Sequence, residues 1–168
     1  MGIFSKLFQK KENKSLVKER DPLSIEVGDI VVYDLVDYEV VGKITYRQDA
    51  YEWISYQLLE GRNTIWLAAE MDDALELGIY KNIPLSVQKP YPQQLEHDGK
   101  TFYLDEQGQA RVTGEGRSRN INGRMISYAE YYDNAEETFI SLEDWGSEIE
   151  ASIGYEIEDY EIKIIAGS

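Results

Sequence analysis

Cysteine is absent from this chain of 168 residues, and histidine occurs once, as His97. Without thiols there are no disulfides, thiolate metal sites or cysteine nucleophiles. A histidine-based triad or a histidine-rich metal site would depend on His97 alone, and the nucleophile motif Gly-x-Ser-x-Gly does not occur. We interpret His97, which stands between Glu96 and Asp98, as an exposed linker residue. The sequence therefore predicts no catalytic residue, no metal site and no cofactor.

Long apolar runs are also missing. No segment approaches the roughly 20 apolar residues that a membrane-spanning helix needs. The N-terminus lacks the apolar core and the small-residue cleavage site of a signal peptide. We therefore expect a cytoplasmic protein.

Basic residues are few, since 17 Lys and Arg stand against 32 Asp and Glu, for a net charge of −15. Binding to DNA or RNA depends on Lys and Arg that neutralise phosphates, so we expect no nucleic-acid partner. The charge is compatible with cationic partners: a small cationic ligand such as a polyamine, a divalent metal ion, or the basic face of a protein partner.

The basic residues are concentrated in the first 20 residues, whose net charge is +4, against −19 for the remaining 148. Apolar and basic side chains stand there at helical spacing: Ile3, Phe4, Lys6, Leu7, Phe8, Lys10 and Lys11. A basic amphipathic tail of this kind, at residues 1–22, can lie on an anionic membrane surface or contact a protein partner. A solvated terminus, or a helix docked on the acidic body, fits the same pattern because only two turns have an apolar face.

Only four prolines interrupt the chain, and all of them stand at joints. Pro22 ends the tail, and Pro84, Pro90 and Pro92 lie between the two halves of the body. Proline fits poorly into central strands, so this placement favours a division into units. We predict a first β-rich unit at 23–89 and a second at 90–168, packed together as one globular body.

The two halves resemble each other. Residues 38–56 align with 110–128 at an offset of 72, and residues 64–83 align with 138–157 at an offset of 74. Shared residues include Val40/Val112, Gly42/Gly114 and the run Ile54-Ser55-Tyr56 against Ile126-Ser127-Tyr128. We interpret the similarity as a diverged internal duplication.

Both halves alternate apolar and polar residues as β-strands with one buried face do. In the first half Tyr38, Val40, Ile44 and Tyr46 alternate with polar neighbours, and Gly42 on the apolar side indicates a bulge. The second half repeats the plan, and neither half predicts a long helix. We expect an all-β, mainly antiparallel fold of two duplicated small β-sheet or open-barrel units, preceded by a short N-terminal amphipathic helix or tail. Two halves of one sandwich are the alternative.

Aromatic residues are abundant, with 13 Tyr and 3 Trp. On a sheet face they can bind sugars, peptides or cationic ligands by stacking and cation–π contacts, although they also fill thin β cores. We select Trp53 and Trp66 as candidate ligand- or partner-binding residues. Trp53 is predicted to be exposed, since it lies opposite the face formed by Ile54, Tyr56 and Leu58.

One basic island interrupts the acidic body. The glycine-rich segment 114–124 contains Arg117, Arg119 and Arg124, which can grip a phosphate or a carboxylate and are further candidate binding residues. The glycines alone are weak evidence, because a nucleotide fingerprint needs a following helix. A mobile hairpin tip is the alternative.

Carboxylates are densest between residues 130 and 159. The spacing of an EF-hand loop does not occur, so a loose Ca²⁺ or polyamine site and a solvated acidic face both fit this run. Only the folded chain can bring carboxylates together for general acid–base catalysis. An enzyme with paired carboxylates in a cleft between the two units is therefore an alternative.

Several short motifs are similar to those of one known family. They are Val27-Gly28-Asp29-x-Val31-x-Tyr33, Tyr38-x-Val40-x-Gly42, Trp53-x-x-Tyr56-x-Leu58, Trp66-Leu67-x-x-Glu70, Gly99-Lys100-x-Phe102-Tyr103-Leu104 and Tyr128-x-x-Tyr131. Through them, residues 23–165 resemble the bacterial domain-of-unknown-function family numbered four-one-seven-eight. The family has no assigned activity, so the resemblance implies no catalytic residue. It implies a bacterial cytosolic protein, often encoded beside small membrane proteins, phage-shock-like proteins and polyamine-synthesis enzymes.

These observations favour a non-catalytic interaction or ligand-binding module, peripheral to the inner membrane face and linked to envelope stress or polyamine-related systems. A carboxylate-based enzyme, with or without a metal, and a carbohydrate-binding module are the two alternatives.

Overall fold

The computed structural model of the protein describes residues 19–167 and consists almost entirely of β-strands. The strands of these residues are β1 (Ile30–Tyr33), β2 (Val36–Gln48), β3 (Tyr51–Glu60), β4 (Asn63–Met71), β5 (Leu75–Ile83), β6 (Gln94–His97), β7 (Lys100–Gly116), β8 (Met125–Asp133), β9 (Phe139–Asp144), β10 (Ile149–Ile157) and β11 (Ile162–Ile165). Within the same range, the only helical segments are two single turns of 3-10 helix, Arg119–Ile121 and Asp159–Glu161. The predicted all-β antiparallel fold is confirmed. The predicted amphipathic residues 3–11 lie outside the described residues.

Eight strands close into one antiparallel barrel, in the order β2-β3-β4-β5-β10-β9-β8-β7. The closing seam joins β2 to β7, from Gly42 opposite Gly116 to Arg47 opposite Arg111. Both of these strands are long enough to extend beyond the seam. The N-terminal part of β2 pairs with β1, which also pairs with β11, and the N-terminal part of β7 pairs with β6. The sheet is therefore a closed barrel with three additional strands.

The hydrophobic core lies mainly outside the barrel wall. Alternation along each strand points one set of side chains outward and the next set into the barrel. Strands β1 and β11 cover the outer face of β2–β5, where Tyr56, Leu58 and Leu67 are fully buried. The segment between β5 and β6 covers the outer face of β8–β10 through Leu85 and Val87. Full burial of an apolar side chain contributes about 1.5–3 kcal/mol, so these outer layers stabilise the wall from outside.

The two predicted units contribute four strands each to this one barrel. Strands β2–β5 and β7–β10 meet at two seams, β2 with β7 and β5 with β10, so the aligned segments occupy corresponding strands. Their residues do not face the same way. Ile54 and Tyr56 belong to the cluster outside the wall, whereas Ile126 and Tyr128 belong to the cluster inside it. The internal duplication therefore stays an inference from the sequence.

Two details of the strands bear on the predictions. The register of β2 against β3 shifts between Val40 and Gly42, which confirms the predicted bulge. Strand β7 runs without interruption for 17 residues, from 100 to 116, through the polar stretch 105–109. Pairing with β8 continues through this stretch, with a register shift between Leu104 and Glu106.

Asp29 ties the first turn of the body to the C-terminal segment. Its buried carboxylate accepts hydrogen bonds from the backbone N–H groups of Glu26 and Gly167, each at 2.8 Å, and from Arg20 Nε at 2.9 Å. Burial alone would raise the pKa of Asp29, but these donors outweigh burial and hold the pKa below its usual range.

Candidate functional site

The inward-facing side chains enclose a cavity of about 310 Å³ inside the barrel. Within the described part of the chain, no lysine or arginine lines this cavity; its lining consists of glutamates, aromatic rings, small polar residues and a few aliphatic residues such as Ile44 and Leu77. The aromatic lining residues are Tyr46, Trp53, Trp66, Tyr80, Tyr132 and Phe139. We call this space the lumen.

Glutamates of the lumen stand directly opposite each other on neighbouring strands. Three such pairs occur: Glu70 with Glu76, Glu106 with Glu130, and Glu143 with Glu150. Directly opposite residues of an antiparallel pair have Cβ atoms about 4.5–5.5 Å apart, and like charges there destabilise the sheet. Five of these six glutamates line the lumen, Glu106 being the exception, and the members of each pair repel each other when both are ionised.

The electrostatic cost of this arrangement appears in the pKa values. Burial raises the pKa of Glu130 to about 7, and the nearby carboxylates of Glu106 and Glu70 add to the effect. Burial likewise raises the pKa of Glu70 to about 7, with a contribution from Glu76. For Glu143, burial raises the pKa to about 7 although a hydrogen bond from a tyrosine opposes the shift. Near neutral pH these three groups are therefore partly protonated.

Neither Glu70 nor Glu130 is compensated by the protein itself. Of the ion pairs formed within residues 19–167, none involves a glutamate of the three pairs. In the same range, no donor forms a side-chain hydrogen bond to Glu70 or Glu130. Buried carboxylates in proteins are normally paired, whereas these two half-buried carboxylates have no cationic partner within residues 19–167.

Aromatic side chains hold the other glutamates in place. The Tyr46 hydroxyl donates to the Glu143 carboxylate, at 3.0 Å from each oxygen. The Tyr46 ring stacks on Trp53, with ring centroids 5.2 Å apart and an interplanar angle of 2°. Trp53 in turn meets the edge of Tyr128, whose hydroxyl lies 3.1 Å from Glu106 and also contacts Gln48. Carboxylates and ring faces thus form one connected wall.

The loop between β7 and β8 closes one end of the lumen. Its Ile121 packs against the inner apolar cluster, and its Ser118 is buried. A Cβ atom at residue 114 would lie 1.9 Å from the Ser118 carbonyl oxygen, so Gly114 is required where the loop folds back. At the opposite end, the exposed residues Glu76 and Glu136 border the cavity and leave it open to solvent.

The predicted binding residues have different positions relative to the lumen. Trp53 and Trp66 both line it. The predicted outward exposure of Trp53 is corrected: the face opposite the outer cluster looks into the barrel, where Trp53 is half-buried. Three arginines of the closing loop are exposed on the protein surface and are not among the cavity-lining residues: Arg117, Arg119 and Arg124. The prediction that His97 is an exposed linker residue is wrong: it is the half-buried last residue of strand β6, which pairs with β7 outside the barrel.

Sequence analysis did not single out the lumen glutamates: Glu130, Glu143 and Glu150 lay in an acidic run that fitted both a solvated face and a loose cation site, and Glu70 was named only as part of a family motif. A signal for them exists in β4, where Trp66, Ala68 and Glu70 alternate with buried apolar residues. A large aromatic residue on the polar side of a strand is a poor fit to open solvent, and it could have indicated an enclosed polar face.

Within residues 19–167, no group of three His, Asp or Glu side chains has the geometry to hold a metal ion. No helix in that range is long and apolar enough to cross a membrane.

The barrel and its lumen define a class of protein: a closed eight-stranded antiparallel barrel with an acidic, aromatic interior. Residues 26–159 match the model of the family described as Domain of unknown function (DUF4178), so the chain belongs to that family, as its motifs predicted. Similar relatives include uncharacterised proteins of Mycobacterium tuberculosis and Mycobacterium bovis, each 32% identical over 155 residues that cover 82% of this chain and 72% of the relative. No solved structure matches the chain.

Proposed function

We propose that the protein is a non-catalytic binding module whose lumen receives a small organic cation. The observation that supports this most is that five glutamates of the three pairs line a cavity whose described lining contains no basic residue. Each ionised pair is unfavourable by itself, and a bound cation turns the repulsion into attraction.

The aromatic lining favours an organic cation over a hydrated inorganic one. Trp53, Trp66 and Tyr46 bring ring faces to the same space as the carboxylates. Ring faces attract ammonium groups through cation–π contacts and bury alkyl groups as well. In a partly desolvated lumen, such contacts are worth more than on an open surface.

Isothermal titration calorimetry with an amine and a neutral analogue of the same length tests the proposal. We expect butylamine to bind and butanol not to bind. Glu130→Gln should weaken amine binding, because it removes a lumen carboxylate without changing its shape. Glu96→Gln, on the exposed strand β6, is the matched control and should bind as the unmodified protein does. Equal binding by both variants would contradict a lumen site.

A carboxylate-based enzyme is the second candidate, and one observation favours it. Glu130 and Glu143 have pKa values of about 7, which suits general acid–base catalysis at neutral pH. Incubation with a bacterial metabolite extract, followed by mass spectrometry, tests for turnover. An enzyme would consume a metabolite, and Glu143→Gln would abolish that consumption. Trp53 and Trp66 lie inside the lumen, so they do not form the exposed coplanar platform of a carbohydrate-binding module.

We also propose that the protein is cytoplasmic and that its basic tail contacts the anionic inner face of the membrane or a protein partner there. Support comes from the tail's charge and from its apolar residues at helical spacing.

Deletion of residues 1–18 tests the role of the tail and keeps Arg20 with its contact to Asp29. Co-sedimentation with vesicles that contain phosphatidylserine should show binding by the full chain and none by the shortened chain. Vesicles of phosphatidylcholine alone are the control, since electrostatic attraction requires anionic lipid. Unchanged binding after the deletion would contradict a membrane role for the tail.

A further inference from the structure

We infer that the ligand of the lumen is a linear aliphatic amine with two or three ammonium groups, held extended between two levels of glutamate pairs. This inference rests on the proposed function and specifies its ligand class.

The glutamate pairs lie at two levels along the barrel wall. Glu143 stands opposite Tyr128, whereas Glu130 is two residues further along the same strand, β8. Since a strand rises about 3.3 Å per residue, the two levels are about 7 Å apart along the wall. At the upper level Glu130 stands opposite Glu106, and at the lower level Glu143 stands opposite Glu150.

The distance between the levels fits the ammonium groups of a short diamine. An extended chain advances about 1.3 Å per bond, as the 3.8 Å step across three backbone bonds shows. A spacing of about 7 Å thus corresponds to five or six bonds, which is a chain of four or five methylene groups between two nitrogens.

The cavity has room for such a ligand. Pockets of about 300–1,000 Å³ accept drug-sized molecules, so a space of about 310 Å³ accommodates a diamine with four or five methylene groups or a short triamine.

The number and spacing of its positive charges distinguish a diamine from other cations. A monoamine neutralises one carboxylate and leaves the second level uncompensated. A divalent metal ion would need three ligands close together, and residues 19–167 offer no such group. A diamine places one charge at each level, and its methylene groups lie against Trp53, Trp66 and Tyr80, which line the same cavity.

Calorimetry with amines of different length and valency tests the inference on the full chain. We expect diaminobutane and diaminopentane to bind at least about tenfold tighter than butylamine, since a second charge pairs in the lumen. Diaminoethane is too short to reach both levels and should bind no tighter than butylamine. The double variant Glu143→Gln/Glu150→Gln removes the lower level and should reduce diaminobutane to the affinity of butylamine. Glu96→Gln is again the matched control.

The possible results separate the two proposals. Equal affinity for butylamine and diaminobutane would overturn the two-level ligand and leave the binding of organic cations standing. Absence of binding by every amine would overturn both proposals. The length series uses the unmodified protein, so it decides the question even where a lumen variant folds poorly.

Discussion

At the scale of single residues, Glu130 in the lumen lowers the stability of the folded protein when its carboxyl group is ionised. Its pKa of about 7 means that the folded protein holds this proton more tightly than the unfolded chain does. Ionised Glu130 therefore costs stability as pH rises above its ordinary pKa of about 4.3, and the cost is fully present above about 7. Glutamine keeps the shape without the charge.

We predict that Glu130→Gln raises the free energy of unfolding at pH 8 by about 1–2 kcal/mol, allowing for partial solvent screening. At about pH 3, well below the ordinary pKa of about 4.3, the carboxyl group is protonated in both states and the variant should match the unmodified protein. Urea denaturation at both pH values measures this, with the exposed Glu96→Gln as control. A loss of stability at pH 8 would contradict the assigned environment of Glu130.

Single residues also show where sequence reasoning reached its limit. The alternation around Trp53 identified correctly that its face is opposite to that of Ile54 and Tyr56. Alternation cannot tell whether the second face looks outward to bulk water or inward to a lumen, because both accept polar residues. The exposure of Trp53 and the role of the glutamates depended on that distinction.

At the scale of the strands, contact between β5 and β10 shapes the lumen. Gly154 stands opposite Tyr80, and a Cβ atom at residue 154 would lie 2.4 Å from Tyr80 Cδ1. Real Cβ contacts are not this short, so any larger residue must displace the aromatic ring.

We predict that Gly154→Ala destabilises the protein by about 1–3 kcal/mol through overpacking at this seam. Tyr80→Leu removes the ring that would clash with Ala at residue 154. The double variant should therefore be destabilised by less than the sum of the two single effects. Thermal denaturation of the three variants gives the coupling between the two sites. Additive effects would show that the ring and the glycine do not interact.

The strands themselves could be predicted, whereas their closure could not. Period-two alternation reflects local backbone geometry, and it located the strands of both halves. The seams β2–β7 and β5–β10 join residues far apart in sequence, such as Gly42 with Gly116 and Ile79 with Tyr155. No local pattern marks such pairings. The sequence therefore could not distinguish one closed barrel from two smaller units. The polar stretch of β7, residues 105–109, is likewise held in a strand by a distant partner, because its residues pair with β8.

At the scale of the whole molecule, two sets of carboxylates respond to pH in opposite directions. Hydrogen bonds and cations lower the pKa values of Asp29, Asp133 and Asp144, so their stabilising effect is lost as pH falls below about 4. Burial raises the pKa values of the lumen glutamates, whose cost grows as pH rises from about 4.5 to about 7.

We predict that the ligand-free protein is most stable near pH 5 and loses stability toward pH 8. Diaminobutane should reduce the loss at pH 8 and have little effect at pH 5, since it binds the ionised lumen. Thermal denaturation from pH 3 to 8, with and without the amine, measures both effects. High salt is the control for repulsion among exposed charges, which salt screens more strongly than charges in the lumen. Maximal stability above pH 7 would contradict the raised pKa values.

The placement of the core outside the barrel wall has an evolutionary consequence. In most small barrels the interior side chains are the core, so a change of interior shape costs stability. Here Tyr56, Leu58 and Leu67 belong to a large cluster on the outer side of the wall, while a smaller cluster with Tyr46 and Val112 packs inside the barrel. The outward positions therefore carry most of the apolar packing. A lineage can alter the polar lining of the cavity, at positions such as Ser55 and Ser141, while the outer cluster keeps the wall folded.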